Sequence, residues 1–112
     1  MMTVEDFRSI ALSMPEASES AHMGHPDFRV RGKIFATVCA PDEHWGMVKL
    51  TPEQQHEFVQ AEPGIYEPAQ GGWGRQGCTK VRLAAANEVT LHNALFAAWR
   101  KVAAPKKRAK RA

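Results

Sequence analysis

Cysteine is scarce in this chain of 112 residues, which contains only Cys39 and Cys78. Two cysteines are too few for the disulfide-stabilised scaffold of a small secreted domain. Free cysteine is most often buried as a small apolar residue. We therefore expect both residues to be reduced thiols that pack in the interior.

Long apolar runs are also missing, since no stretch approaches the roughly 20 residues that a helix needs to cross a bilayer. The N-terminus, MMTVEDF, is mixed and acidic, whereas a secretory signal is first basic and then apolar. We expect a cytoplasmic protein without a membrane partner. A chain of this length that is 44% hydrophobic suffices for one domain with a core and is too short for two.

Acidic residues are absent from positions 106–112, which hold five of the fifteen lysines and arginines. The other 105 residues carry ten of these cations and twelve acids, a net charge of −2, so the overall charge of +3 does not describe the body of the protein. Positions 106–112 have no apolar residue larger than alanine. We predict a folded domain over residues 1–105 and a disordered basic tail over 106–112.

Three segments carry apolar residues at helical spacing after a capping residue. The predicted helices run from about 4 to 13, from 52 to about 61, and from the residue after Asn87 through Val102. Proline at the first position and glutamine three residues after the cap strengthen the second helix, which Pro63-Gly64 ends.

Strand patterns fill much of the remaining chain, over about 18–23, 27–31, 33–39, 45–50, 65–68 and 78–83. Turns are predicted at 24–26, at Gly32 and at 41–43, and a loop at 71–74. The order αββββ-α-ββ-α with mostly hairpin-length connections predicts an α+β fold. It consists of an antiparallel sheet of about six strands with three helices on one face.

Arg29, Arg31 and Lys33 alternate with apolar residues, so we expect these three cations to share one face of a strand hairpin. Lys80 and Arg82 alternate in the same way in the last predicted strand. Two interpretations stay open. The cations form a surface that meets an anion, or they form the solvated outer face that any half-exposed sheet has.

Trp73 lies in the glycine-rich segment GGWGRQG. A nucleotide-binding glycine loop leads into a helix N-terminus, but here a predicted strand follows. Either Trp73 folds back over the core as a plug, or Trp73 and Arg75 reach a groove or stack on a base.

Candidate catalytic and metal-binding residues are few. His22, His25 and Asp27 form H-x-x-H-x-D, but a strand end followed by a turn need not bring these side chains together, and a turn-fixing hydrogen bond explains His25 as well. Cys78 has two cations nearby in sequence that would lower its pKa, but no evident base. We therefore expect no enzyme activity, no catalytic residue, no metal and no cofactor.

Four motifs occur in a recognisable order: GHPDFRV-x-GKIFATV, W-x-MVKLTPEQQ, GGWGRQGCTKVRL and AWRKVAAP. In this order the chain resembles the MmcQ/YjbR family of small bacterial proteins over residues 3–105. The resemblance implies a fold similar to the double-wing C-terminal domain of the phage transcription factor MotA, a curved antiparallel sheet with helices. It also implies DNA binding.

The expected function is therefore that of a monomeric DNA-binding or regulatory accessory protein with double-stranded DNA as its partner. The predicted contacts are basic and aromatic residues of the sheet face and the glycine-rich loop: Arg29, Arg31, Lys33, Trp73, Arg75, Lys80 and Arg82. The alternative is a non-enzymatic protein- or small-ligand-binding module. A continuous cationic groove favours DNA, and a neutral apolar cleft around Trp45 and Trp73 favours the alternative.

Overall fold

An antiparallel sheet with helices on one face forms the molecule, whose computed structural model describes residues 1–40 and 42–104. The strands are β1 Ala17–His22, β2 His25–Val30, β3 Lys33–Val38, β4 Trp45–Lys49, β5 Tyr66–Pro68 and β6 Cys78–Arg82. The helices are α1 Val4–Leu12, α2 Pro52–Ala61, α3 Gly71–Arg75 and α4 Glu88–Ala103, with a 3₁₀ turn at Leu83–Ala85. The spatial strand order is β1-β2-β3-β4-β6-β5. The predicted α+β class and six-stranded sheet are confirmed.

The three predicted helices start at their predicted caps. The side chains of Thr3 and Thr51 each accept a hydrogen bond from the backbone N–H three residues later. The side chain at that later position accepts a hydrogen bond from the backbone N–H of the capping threonine. The side chain of Asn87 accepts from the backbone N–H of Thr90. Because these caps satisfy backbone donors that a helix start leaves unpaired, the starts follow from local sequence.

α3 forms where the sequence predicted a loop. Three of its five residues are glycines, which favour helix poorly on their own. A residue of another helix stabilises α3, because Nε2 of Gln55 in α2 donates to the carbonyl oxygens of Gly74 and Cys78. A contact from a distant element thus overrides local preference.

Two tight turns join the first three strands. Met23-Gly24 connects β1 to β2 and Arg31-Gly32 connects β2 to β3, and all four residues have positive φ. The predicted turn at 24–26 is therefore misplaced. The chain reverses direction at Met23 and Gly24, and β2 begins at His25. Pro26 lies within β2, opposite Ala21, beyond the β2–β3 pairs that begin at Asp27.

The hydrophobic core lies between one face of the sheet and α1, α2 and α4. Phe28 in β2, Val48 in β4 and Val81 in β6 are buried on this face, and Leu95 of α4 is buried with them. Phe58 of α2 packs on Tyr66 with ring centroids 5.0 Å apart, and the Tyr66 hydroxyl donates to the carbonyl of Thr90 in α4. α1, α2 and α4 therefore cover only this face of the sheet.

The remaining expectations concern the ends of the chain and the membrane. The predicted tail, 106–112, lies outside the described residues, as does Pro41 in the predicted turn at 41–43. Within the described part of the chain, no helix combines the length and apolar character needed to span a membrane.

Candidate functional site

The sheet face opposite the helices, called here the open face, carries one row of directly paired residues across all six strands. In spatial order these are Ser20, Asp27, Thr37, Met47, Lys80 and Glu67. They share a face because directly opposed residues in antiparallel strands point the same way. Charged members lie toward both sides of the row, and Thr37 and Met47 lie at its centre.

On the β2 side, the charge of Arg29 is compensated. Asp27 is fully buried and accepts hydrogen bonds from Nε and Nη2 of Arg29 at 2.8 and 3.0 Å. Nδ1 of His22 donates to the same carboxylate at 2.7 Å. The bonds from Arg29 lower the pKa of Asp27 most, and the His22 bond adds to the effect, whereas burial opposes it.

On the β6 side, two further predicted cations share the carboxylate of Glu67, which compensates their charge in part. Its carboxylate lies 3.2 Å from Nζ of Lys80 and 3.6 Å from a guanidinium nitrogen of Arg82. Both cations also lie over the ring of Trp45, at 4.4 and 4.5 Å from its centroid. The side chains of Lys80 and Arg82 thus cover the ring of Trp45. Trp45 does not line the apolar cleft described below.

The prediction that Arg29, Arg31 and Lys33 share one face is wrong for Arg31. Arg31 occupies the turn after β2 with φ of 55°, and its side chain bonds Glu16 at 3.4 Å and the carbonyl of Ala103 at 3.3 Å. Because β2 ends at Val30, strand alternation does not extend to Arg31. The cations of the predicted stripe are therefore divided between two surfaces.

An apolar cleft of about 420 Å³ opens in the open face. Its lining is mainly apolar, with one histidine, one threonine and one lysine: His22, Met23, Ile34, Thr37, Ala40, Met47, Lys49, Trp73 and Cys78. Trp73 is 64% exposed and Met23 is 90% exposed, so both form the rim. The interpretation of Trp73 as a plug over the core is therefore wrong.

α3 places Trp73 at this rim. A Cβ atom on Gly74 would lie 1.8 Å from the carbonyl oxygen of Ala69, so the short helix can approach the preceding chain only with glycine there. Together with the Gln55 bonds, this close contact holds the indole beside the cleft. Arg75 lies at the end of α3 and is exposed, and it does not line the cleft.

A second depression, of about 500 Å³, adjoins the cleft and shares Ile34 and Lys49 with it. Lys33, Lys49 and Lys101, called here the lysine cluster, line it together with Arg29. Within residues 1–40 and 42–104, no member of the lysine cluster forms an ion pair. Burial lowers the pKa of Lys101, Cys78 opposes this shift, and the charge of Lys49 adds to it.

Sequence reasoning did not identify Lys49 and Lys101 as site residues. Lys49 ends β4 and Lys101 lies in the last turn of α4, where its Nζ donates to the carbonyl of Leu50 at 3.1 Å. The two lysines are far apart in sequence, and only the packing of α4 along the sheet brings them together. A basic residue in the last helical turn is common, so it carried no signal of a site.

The candidate catalytic and metal-binding residues have structural partners. Burial raises the pKa of Cys78, and this effect exceeds the lowering by nearby cations. The lowered pKa that the sequence suggested for this thiol is therefore not found. Nδ1 of His25 donates to the carbonyl of Cys39 at 2.6 Å, and Nδ1 of His22 is bonded to Asp27. Among the residues described, no group of three or more His, Cys, Asp or Glu side chains is arranged to hold a metal ion.

Comparison with known proteins identifies the family. No curated protein matches the sequence. A solved structure of the Deinococcus radiodurans protein DR2400, described as a DUF419 domain, is similar in fold with a TM-score of 0.75 and 22% identity, over 91% of this chain and 79% of that chain. The family model described as YjbR matches residues 12–101. The resemblance that the four motifs indicated is thus confirmed, and the chain belongs to the YjbR family.

Proposed function

We propose that this protein is a non-enzymatic nucleic-acid-binding protein whose lysine cluster contacts the phosphates of a strand on the open face. The observation that carries the proposal is that three lysines without an acidic partner in the described chain line one depression beside an exposed tryptophan. Cations position nucleic acids through phosphates, and aromatic rings bind bases by stacking.

Electrostatics support an anionic ligand at the lysine cluster. Three lysines line the same depression, and the neighbouring charge of Lys49 contributes to the lowered pKa of Lys101. Like charges held together disfavour their own ionisation, and a bound anion reverses that effect. A phosphate group therefore gains more here than beside a cation that already has a carboxylate partner.

The proposed interface is smaller than the one expected from the sequence. It keeps Lys33 and Trp73 and adds Lys49 and Lys101, whereas the charge of Arg29 is already compensated by Asp27. Lys80 and Arg82 share the single carboxylate of Glu67 on the far side of the row, so their charge is already partly compensated.

A small-ligand-binding module is the second candidate. The volume of the cleft lies within the roughly 300–1,000 Å³ of typical ligand pockets. Because the cleft adjoins the lysine cluster, its expected ligand is a small anion with an apolar body. Such a ligand would compete with nucleic acid for the same residues.

Two double variants test the nucleic-acid proposal, since each removes two positive charges from the sheet. Lys33→Gln with Lys49→Gln alters the lysine cluster, and Lys80→Gln with Arg82→Gln is the matched control. Fluorescence anisotropy with labelled duplex and single-stranded DNA should show at least tenfold weaker binding for the first variant and under twofold change for the control. Loss of two phosphate contacts should also reduce the salt slope by about 1.4 to 1.8.

Thermal unfolding followed by circular dichroism checks that both variants keep the fold. Equal losses in the two double variants would mean that binding follows net charge and involves no defined site. Failure of the unaltered protein to bind either form of DNA at low salt would refute the nucleic-acid proposal.

A further inference from the structure

We infer that the apolar cleft takes one unpaired nucleobase, stacked on Trp73, while the lysine cluster holds the adjacent phosphates. The preferred ligand is then single-stranded nucleic acid. This inference rests on the proposed function and specifies the ligand of the same site.

The cleft and the lysine cluster are continuous, which allows one ligand to occupy both. Ile34 and Lys49 line both depressions. Lys49 is paired directly with Cys78 in the next strand, and Ile34 is paired with Arg29. The two depressions therefore meet on the surface of the sheet. A nucleotide whose base enters the cleft has its phosphate at the cationic end.

Trp73 is suited to stacking because its indole is both exposed and positioned. The side chain is 64% exposed, although α3 is held by the Gln55 amide and by the close approach of Gly74 to Ala69. Aromatic rings in such positions bind bases of any sequence through their faces. The rigid backbone around Trp73 reduces the entropy that would be lost on stacking.

The rest of the cleft provides an apolar surface and a small number of polar groups. Met47, Ile34 and Cys78 can cover the face of a base, and Thr37 and His22 are polar side chains in the lining. The bond from Nδ1 of His22 to Asp27 orients the ring and leaves Nε2 for a ligand. A base edge can therefore form hydrogen bonds while its face stays in apolar contact.

A duplex fits this arrangement less well for two reasons. The faces of bases in a duplex are covered by stacked neighbours, so no base face is available to the apolar cleft. A second phosphate backbone would need further cations on the sheet, but Lys80, Arg82 and Arg29 already bind carboxylates. The structure thus provides for one strand.

Substitution of Trp73 tests the inference on the full chain. We expect the unaltered protein to bind a labelled 12-nucleotide oligothymidine more tightly than a duplex of equal length. Trp73→Ala should weaken oligothymidine binding by roughly tenfold, change duplex binding less than twofold and leave the salt slope unchanged, because the indole contacts no phosphate.

Trp73→Phe is the conservative control. It should restore most of the affinity for oligothymidine. Unlabelled oligothymidine should quench tryptophan fluorescence in the unaltered protein and lose most of that effect in Trp73→Phe, since the stacked indole is gone.

The outcomes separate the two proposals. Equal affinity for duplex and single strand, with no effect of Trp73→Ala, overturns the single-strand inference but leaves the proposed function intact if Lys33→Gln with Lys49→Gln still weakens binding. Thymidine monophosphate competing as well as oligothymidine of equal molarity also overturns the inference, because the ligand is then a free nucleotide. Absence of binding to any of these probes refutes both proposals.

Discussion

Asp27 is ionised on the open face although its side chain is fully buried. Two bonds from Arg29 and one from His22 stabilise the carboxylate against the cost of desolvation. The same bonds hold the guanidinium of Arg29 beside an acid. One buried carboxylate thereby reduces the positive charge that the open face presents to a ligand.

Asp27→Asn should lower stability at neutral pH and have less effect in acid. The native pKa of Asp27 lies below that of the unfolded chain, so its contribution is present above about pH 4 and is lost as the pH falls through the native value. The gap between the melting temperatures of the two proteins, measured from pH 7 to pH 3, should therefore narrow below about pH 4. A gap of constant size over this range would contradict the assigned role.

Strand alternation alone predicts that Asp27 and Arg29 share a face, because they lie two residues apart. The rule applies to this acid–base pair as it does to the cations. The pairing of Lys80 with Glu67 is harder to predict from the sequence, since it depends on β5 lying beside β6. Partners within one strand can be read from the sequence, whereas partners across strands require the register.

At the scale of elements, Gly77 joins α3 to β6 where the chain passes the end of β4. Its φ is +111°, and a Cβ atom there would lie 1.9 Å from the carbonyl oxygen of Leu50. The backbone N–H of Leu50 donates to the carbonyl of Gly77 in the same contact. This junction keeps α3, and with it Trp73, against the sheet.

Gly77→Ala should reduce the free energy of unfolding by at least about 2 kcal/mol, because it adds both backbone strain and a clash with main-chain atoms. Gly64→Ala is the matched control, since no atom lies within 4 Å of the added Cβ. We expect it to change stability by under about 0.5 kcal/mol. Urea unfolding measures both, and similar values for the two variants would refute the role of Gly77.

Local sequence determined some elements better than others. α2 has the predicted bounds because a capping box starts it and Pro63-Gly64 follows its end. α3 was missed because its stability comes from Gln55 and from close backbone approach. The first turn was misplaced because Met23 adopts a positive φ that its side chain disfavours.

At the scale of the whole molecule, the lysine cluster and the C-terminal residues of the sequence are both rich in positive charge. The lysine cluster lies in a body whose sequence through residue 105 is net acidic, and residues 106–112, outside those described, carry five cations. A polyanion can be attracted by the lysine cluster and by residues 106–112. If the proposed nucleic-acid binding is measured, it has to be divided between the lysine cluster and residues 106–112.

Replacing the five cations of residues 106–112 with glutamine should separate these contributions. The salt slope for duplex DNA should fall by up to about 4.5, the value for five phosphate contacts, and overall affinity at low salt should drop. The preference for oligothymidine over duplex, and its dependence on Trp73, should persist. Complete loss of binding at low salt would assign the activity to the C-terminal segment.

The family, the α+β class and the starts of α1, α2 and α4 follow from the sequence, because motif order, capping residues and apolar periodicity are local properties of the chain. Tertiary structure decided which cations are compensated, that Trp73 is exposed beside an apolar cleft, and that Lys33, Lys49 and Lys101 form one cluster. These features depend on strand register and on the packing of α3 and α4, which bring together residues that are far apart in sequence.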